Sequence, residues 1–166
     1  MLKDTKKYLK TEQFISNDTL CKLLDECTKL PKTKKGNKYE EVIALCFQST
    51  EYHKVVKLPG KDVMVTVLEK SPLFNIAKYL IVECKNKIEP VKTNDIRSLK
   101  EKIERFIGFN FSVLGVLVMT SDFQDGAKNI LSRTFIVHIK HKELIKWLRS
   151  GKTICTLVEQ KFLKMS

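Results

Sequence analysis

The chain has 166 residues, of which 43% are hydrophobic and 30% are charged. This length is typical of one domain with its own core, and the composition excludes a disordered chain or a coiled coil. The 31 lysines and arginines against 19 aspartates and glutamates leave a net charge of +12, which indicates a polyanionic partner, nucleic acid before an anionic membrane surface.

The sequence also excludes several cellular classes. No apolar run approaches the roughly 20 residues that span a bilayer, and residues 1–7 lack the apolar stretch of a secretory signal. The five cysteines show neither a disulfide framework nor the spacing of a zinc site. We therefore expect reduced thiols, a cytoplasmic location and no contact with a membrane.

The N-terminal part of the chain predicts a polar arm followed by two helices. Residues 1–11 are rich in lysine and are expected to fray. Leucines and a cysteine at helical spacing predict a helix from Asn17 to Leu30, which Pro31 ends. A basic turn is predicted over residues 32–37, and a second helix with a broad apolar face from Lys38 to Gln48.

The pattern changes to strands after Ser49. Five strands are predicted: His53 to Leu58, Asp62 to Leu68, Tyr79 to Lys85, Val113 to Met119, and Thr134 to Ile139. Further helices are predicted at Asn94 to Ile107, Asp125 to Leu131, Glu143 to Arg149 and Thr153 to Leu163. Strands that are apolar on both faces and alternate with helices predict a single α/β domain, with a mixed central sheet flanked by helices on both faces.

The end of the third predicted strand carries the most informative motif, Ile81-Val-Glu83-Cys-Lys85-Asn86. Because strand side chains alternate, Glu83 and Lys85 project from one face, about 6–7 Å apart along the chain. Two charges at the end of a buried strand cost desolvation energy unless something compensates them. Mg²⁺ would compensate the carboxylate, and Lys85 could orient or deprotonate a water that attacks a phosphate.

A metal site of this kind needs further carboxylates. Asp62 begins the preceding predicted strand, and Glu40 lies in the first turn of the second predicted helix, from which it can approach the same sheet end. Each residue also has an ordinary interpretation. The Glu83 and Lys85 pair is compatible with a solvated strand end, Asp62 with a turn, and Glu40, like its neighbour Glu41, with the favourable charge of a helix N-terminus.

Four motifs occur in an order that resembles a known family. They are Gly36-x-x-Tyr39-Glu40, Gly60-Lys-Asp62-Val, Ile-Val-Glu83-Cys-Lys85-Asn and Thr120-Ser121-x-Phe123-x-x-Gly126-Ala127. Together they look like the P-D…(D/E)-x-K nucleases, and most like the Mrr-type branch of that restriction endonuclease-like superfamily. The resemblance covers about residues 36–149. It divides the chain into an N-terminal basic arm and helix (1–35), a nuclease-like core (36–149) and a C-terminal helix (150–166).

The resemblance implies an αβββαβ core and cleavage of DNA phosphodiester bonds that depends on Mg²⁺ or Mn²⁺. It assigns Asp62 and Glu83 as metal ligands, Lys85 as the catalytic lysine and Glu40 as the supporting helix glutamate. The sequence departs from the pattern at Met64, where many relatives carry the key acid. The alternative is therefore a catalytically inactive nucleic-acid-binding or assembly module on the same fold.

Lysine dominates the positive charge of the chain. Lys32, Lys34, Lys35 and Lys87 flank the proposed site in sequence and are the predicted phosphate contacts. Their ordinary interpretation is a solvated surface. Lysine is a point charge without the geometry that reads base edges, so we expect salt-dependent binding of the DNA backbone with little sequence preference. Cutting both strands needs two sites, which leaves a homodimer open.

Overall fold

A computed structural model of the chain describes residues 2–50, 53–57, 63–107 and 112–165, with residues 32–35, 53–57 and 107 described for their backbone alone. A 3₁₀ turn at Leu2–Asp4 precedes the helices α1 (Thr5–Lys10), α2 (Asn17–Thr28) and α3 (Lys32–Gln48). The strands β1 (His53–Lys57), β2 (Val63–Val67) and β3 (Tyr79–Lys85) follow. The remaining elements are α4 (Thr93–Ile107), β4 (Val113–Met119), α5 (Ala127–Leu131), β5 (Ile136–Lys140), α6 (His141–Arg149) and α7 (Ile154–Leu163).

The five strands form one mixed sheet in the order β1-β2-β3-β4-β5. The first three strands pair antiparallel, whereas β3, β4 and β5 run parallel. The central strand is β3, which carries the Glu83 and Lys85 motif and has a partner on both edges. The predicted α/β fold with a mixed central sheet flanked by helices is therefore confirmed, including the αβββαβ succession of its core.

Two hydrophobic cores lie on opposite faces of the sheet. The helices α2, α3, α6 and α7 cover the face that carries Leu80, Val82 and Cys84, and α4 and α5 cover the face that carries Ile81 and Leu117. Because side chains alternate along β3, the even-numbered residues belong to the first core. Glu83 and Lys85 consequently project toward the α4 side.

The close approach of α4 to the sheet depends on Gly115 in the middle of β4. A Cβ atom at this position would collide with the Ile103 side chain of α4 and would crowd Ile136 of β5. Gly115 is the register partner of Ile81, two residues before Glu83. Because glycine has no side chain, α4 packs closely against the strand end that carries Glu83 and Lys85.

The N-terminal residues differ from the sequence-based expectation. The prediction of a frayed arm over residues 1–11 is wrong, because Thr5–Lys10 form α1, which packs on α3. The buried Thr5 hydroxyl donates to the Glu41 carboxylate, and the Lys38 ammonium group lies 2.9 Å from the same Glu41 oxygen. This buried polar contact holds α1 in place despite the surrounding lysines.

The predicted basic turn over residues 32–37 is also wrong, because α3 begins at Lys32 and runs through Gly36 to Gln48. Lysine is a good helix former, and an exposed glycine costs a helix only about 1 kcal/mol. The long buried part of α3, which includes Tyr39 and Phe47, stabilises the whole helix. The division of the chain at residues 35 and 149 stays a prediction.

Two further expectations concern the whole chain. All five cysteines are free thiols, and all five are buried. Among the residues that the structure describes, no helix combines the length and the apolar character needed to cross a membrane.

Candidate active site

Strand β3 brings Glu83 and Lys85 together on the α4 side of the sheet. The Lys85 Nζ atom lies 3.1 Å from Glu83 Oε1. The Glu83 side chain is only 11% exposed, and that of Lys85 is 25% exposed. The two charges therefore form a mostly buried pair at the end of the central strand, instead of a solvated strand end.

Helix α4 adds two charged residues that the sequence analysis did not assign to the site. Lys102 Nζ lies 2.9 Å from Glu83 Oε2, and Asp95 Oδ1 lies 3.3 Å from Lys85 Nζ. Lys87 reaches the other Asp95 oxygen at 3.0 Å. We call these five residues, Glu83, Lys85, Lys87, Asp95 and Lys102, the Glu83 network. It joins the end of β3 to one face of α4 through alternating positive and negative groups.

The start of α4 fixes the orientation of Asp95. Its Oδ2 atom accepts a hydrogen bond of 2.8 Å from the Lys92 backbone N–H, which is the N3 half of a capping box. The sequence contains a pattern that predicts a shared helix face for Asp95 and Lys102. Asp95 and Lys102 are seven residues apart, so they lie on the same side of the helix two turns apart, next to the apolar stripe of Leu99 and Ile103.

The contacts of the network shift the pKa values of Lys85 and Asp95. Burial lowers the pKa of Lys85, but the charges and hydrogen bonds of Glu83 and Asp95 raise it by more, so the pKa lies above the ordinary lysine value. Burial raises the pKa of Asp95, yet the Lys92 backbone hydrogen bond and the Lys87 and Lys85 ammonium groups bring the pKa below its ordinary value. At neutral pH, Lys85 is consequently an ammonium group and a hydrogen-bond donor, not a base.

Glu40 lies on the other side of the sheet. Because α3 begins at Lys32, Glu40 is in the third turn of the helix rather than the first, and the helix N-terminus does not explain its charge. The residue is 7% exposed. Burial is the main cause that raises the pKa of Cys84, and the neighbouring charges of Glu40 and Glu83 raise it further. Glu40 therefore lies near Cys84 on the α3 side of the sheet, whereas Glu83 and Lys85 face α4.

Asp62 lies outside the described residues. Its neighbour Val63 begins β2 and is the register partner of Val82, next to Glu83. Met64, the departure from the family pattern, pairs with Ile81 and is half-buried on the α4 side of β2. Met64 therefore lies on the face from which Glu83 and Lys85 project.

The predicted phosphate contacts fall into two groups. Lys32, Lys34 and Lys35 lie in the first turn of α3, and their side chains are outside the description. Lys87 belongs to the Glu83 network and also lines a cavity of about 690 Å³ at the carboxyl ends of β3, β4 and β5. The other polar lining residues include Thr120, Ser121, Asp122, Lys140, His141 and Lys142.

This cavity is basic and adjoins the charged strand end. Three lysines line it against one aspartate, and that aspartate, Asp122, already pairs with Lys140 at 2.6 Å. The Ser121 hydroxyl is buried and has no hydrogen-bond partner within the described part of the chain. The cavity therefore offers positive charge, which suits an anionic ligand such as a phosphate.

The chemistry of the site fits a divalent cation in one respect. Both Glu83 carboxylate oxygens are directed at cationic groups, so the position already selects positive charge. Over residues 2–50, 53–57, 63–107 and 112–165, no group of three or more acidic, histidine or cysteine side chains is suited to hold a metal ion. Of the two metal ligands that the sequence predicts, Glu83 lies within these residues and Asp62 lies outside them.

Comparison with known proteins gives one match. A family model described as restriction endonuclease, of the Mrr catalytic type, matches residues 32–148. No curated protein and no solved structure matches the chain. The matched region runs from the first residue of α3 nearly to the end of α6 and contains all of the sheet and the whole Glu83 network.

Proposed function

This chain belongs to the Mrr-type restriction endonuclease family, and on that premise we propose that it hydrolyses DNA phosphodiester bonds with Mg²⁺ or Mn²⁺. The observation that carries the proposal is the 3.1 Å contact between Glu83 and Lys85 at the end of the central strand. A buried carboxylate beside a protonated lysine supplies one metal ligand and one donor for a phosphate oxygen. These are the groups that metal-assisted phosphodiester hydrolysis requires.

In this proposal, Glu83 and Asp62 hold the metal. Asp62 directly precedes Val63 in the sequence, and Val63 is the register partner of Val82, the residue before Glu83. When bound, a divalent ion offsets the phosphate charge and lowers the pKa of a coordinated water. Two carboxylates suit this ion, because Mg²⁺ is typically held by one or two carboxylates together with waters.

Lys85 then binds and orients the phosphate. Its ammonium group donates hydrogen bonds, so it would contact a non-bridging phosphate oxygen or the attacking water and would reduce the negative charge that develops there. Asp95 of α4 is a second partner of the Lys85 ammonium group, at 3.3 Å. We keep Glu40 as the supporting helix glutamate; it is buried on the α3 side of the sheet, close enough to Cys84 for its charge to raise the pKa of that thiol.

The basic cavity supports DNA as the partner. Lys87, Lys140 and Lys142 lie along the carboxyl ends of the parallel strands, next to the proposed catalytic pair. We propose that the DNA backbone runs across this cavity, with Lys32, Lys34 and Lys35 as further phosphate contacts. We also propose a cytoplasmic location, which five buried free thiols suit, and a homodimer when both strands are cut.

Incubation with plasmid, flap and branched DNA, with and without Mg²⁺, tests the proposal. We expect cutting in the presence of Mg²⁺, and a loss of about 100-fold or more in Lys85→Ala because the lysine acts on the reacting phosphate. Lys100→Ala is the matched control, since Lys100 lies on α4 but pairs with Glu104 in solvent. Equal cutting by the native protein and Lys85→Ala would contradict the proposal.

One observation favours a second candidate function. Met64 occupies the α4 side of β2, at the position where the family pattern described above has an acid. An inactive nucleic-acid-binding or assembly module would bind the same DNA substrates without cutting them at any Mg²⁺ or Mn²⁺ concentration. The cleavage assay, run beside a binding assay, separates the two functions.

A further inference from the structure

Helix α6 carries a row of cationic side chains next to the basic cavity. Lys142, Lys146 and Arg149 are exposed, and their spacing of four and three residues places them on one side of the helix. We propose that these three residues, which we call the α6 basic face, bind DNA phosphates and continue the DNA path away from the proposed catalytic pair. The inference rests on the proposed function and extends its DNA-binding surface.

A second cavity, of about 380 Å³, adjoins the basic cavity at the start of α6. His141 and Lys142 line both cavities, whereas Lys146 and Arg149 line the second one and not the first. The helix therefore leads outward from the carboxyl ends of the parallel strands. One continuous polyanion can occupy both cavities, because they meet at shared side chains.

The junction between the two cavities is held from two helices. His141 Nδ1 lies 3.0 Å from the hydroxyl oxygen of Tyr39 on α3, and His141 Nε2 lies 3.4 Å from Asp25 Oδ1 on α2. Tyr39 is fully buried, so its contact anchors the histidine to the core. The start of α6 thus has a fixed position relative to the basic cavity, and the α6 basic face is placed beside the DNA path by the fold itself.

The acidic side chains near the α6 basic face are already engaged. Glu143, the acid of α6, pairs with Lys161 of α7 at 2.6 Å. Asp25, the acid that lines the second cavity, contacts His141 and lies 3.8 Å from Arg149 Nη2. The positive charge of this surface is consequently only partly compensated by the protein.

Lys142 and Lys146 form no ion pair within the described part of the chain. Two like charges four residues apart destabilise a helix, because their side chains are neighbours on its surface. A bound polyanion removes this repulsion by placing phosphates beside both ammonium groups. Lysine and arginine without local acidic partners are the groups through which proteins neutralise DNA phosphates.

The length of the α6 basic face gives the extent of the added contact. From Lys142 to Arg149 the helix rises about 10 Å, at about 1.5 Å per residue. One strand of B-form DNA carries a phosphate about every 3.4 Å along the helix axis. The face therefore spans about three phosphates of one strand.

Fluorescence anisotropy with a labelled duplex at several salt concentrations tests the inference. Lys146→Ala should reduce the slope of log affinity against log salt by about 1, and Lys142→Ala combined with Lys146→Ala should reduce it by about 2. Lys128→Ala is the control, since Lys128 is exposed on α5, which packs on the opposite face of the sheet. A native slope in Lys146→Ala, or an equal reduction in Lys128→Ala, would overturn the inference and leave the proposed function in place; a native chain that binds no DNA would contradict both.

Photocrosslinking locates the contact without depending on the lost charge. All five native cysteines are buried, so a thiol-directed photoreactive reagent should label an introduced exposed cysteine selectively. After irradiation with bound DNA, labelled Lys146→Cys should form a covalent adduct with the DNA, and labelled Lys128→Cys should not. Absence of the adduct at position 146 in a complex that forms, or equal adducts at both positions, would contradict the DNA path along α6.

Discussion

Lys85 contacts two carboxylates, Glu83 on its own strand and Asp95 on α4. Both contacts raise the pKa of Lys85, and Glu83 contributes more than Asp95. With its pKa raised, Lys85 keeps its proton, so it contributes a positive charge and hydrogen bonds instead of removing a proton from water. Of the two roles that the sequence left open, orienting or deprotonating a water, we therefore keep the first in the proposed function.

The pKa of Asp95 gives a prediction on pH. Because this pKa is lower in the folded than in the unfolded chain, its contribution to stability is present above the ordinary Asp pKa of about 3.9 and is lost as the pH falls through the lower folded value. Asp95→Asn should therefore lower the free energy of unfolding at pH 7 by roughly 1 kcal/mol, the typical value of a helix-capping carboxylate.

Urea unfolding of the native chain and Asp95→Asn between pH 7 and pH 2 measures this effect. The difference between the two proteins should shrink toward the acidic end. Asp125→Asn, at an exposed position before α5, serves as the control and should show a small difference at every pH. A difference for Asp95→Asn that is constant with pH would contradict the assigned role.

At the scale of single residues, the sequence analysis assigned Glu83, Lys85 and Lys87 to the site. It missed Asp95 and Lys102. Alternation along a strand depends on local geometry alone, so it places Glu83 and Lys85 on one face. The contacts of Asp95 and Lys102 depend on where α4 docks, and a spacing of seven residues reveals a shared helix face but not its neighbour. Helical periodicity predicts which residues share one face of α4, but it does not predict which part of the sheet that face packs against.

At the scale of elements, the docking of α4 depends on Gly115. Gly115→Ala should lower the free energy of unfolding by about 1–3 kcal/mol, because the added methyl group meets Ile103 in a packed core. It should also weaken cleavage, since displacing α4 moves Asp95 and Lys102 away from β3. Chemical denaturation and the cleavage assay measure the two effects.

Gly36→Ala is the matched control for this substitution. Gly36 is exposed in α3, and no atom of the described side chains lies within 4 Å of an added Cβ atom. Alanine at this position should stabilise the chain by about 0.5–1 kcal/mol, because glycine is unfavourable within a helix. Loss of stability in Gly36→Ala, or no loss in Gly115→Ala, would contradict the packing described for these elements.

The elements that the sequence predicted correctly share a strong physical signal. Strand β3 is apolar until its end and β2 alternates, and both patterns reflect burial by the sheet itself. The lysine-rich residues 1–11 and 32–37 gave no such pattern. Their helices are stabilised by distant contacts, such as that of Thr5 with Glu41, which lie 36 residues apart and leave no local trace in the sequence.

At the scale of the whole molecule, the net charge of +12 predicts DNA binding that weakens steeply with salt. Lys142 is exposed and lines the basic cavity. Lys142→Ala should weaken binding for all DNA sequences alike and reduce the slope of log affinity against log salt by about 1, as expected for one lost phosphate contact.

Fluorescence anisotropy at several salt concentrations measures that slope. Lys164→Ala, which also removes one exposed positive charge but lies outside the cavity lining, is the control and should leave the slope nearly unchanged. Equal effects of the two substitutions would mean that the total charge binds DNA and that the cavity has no special role.

The central claim is that Glu83 holds the metal that cleavage requires. The most direct test compares native protein and Glu83→Gln in single-turnover cleavage of a labelled DNA at saturating Mg²⁺, with DNA affinity and Mn²⁺ affinity measured on the same samples. The substitution preserves size and removes the charge, so cleavage and Mn²⁺ binding should both be lost while DNA affinity is retained. Cleavage by Glu83→Gln at the native rate, with Mn²⁺ bound as before, would contradict the account.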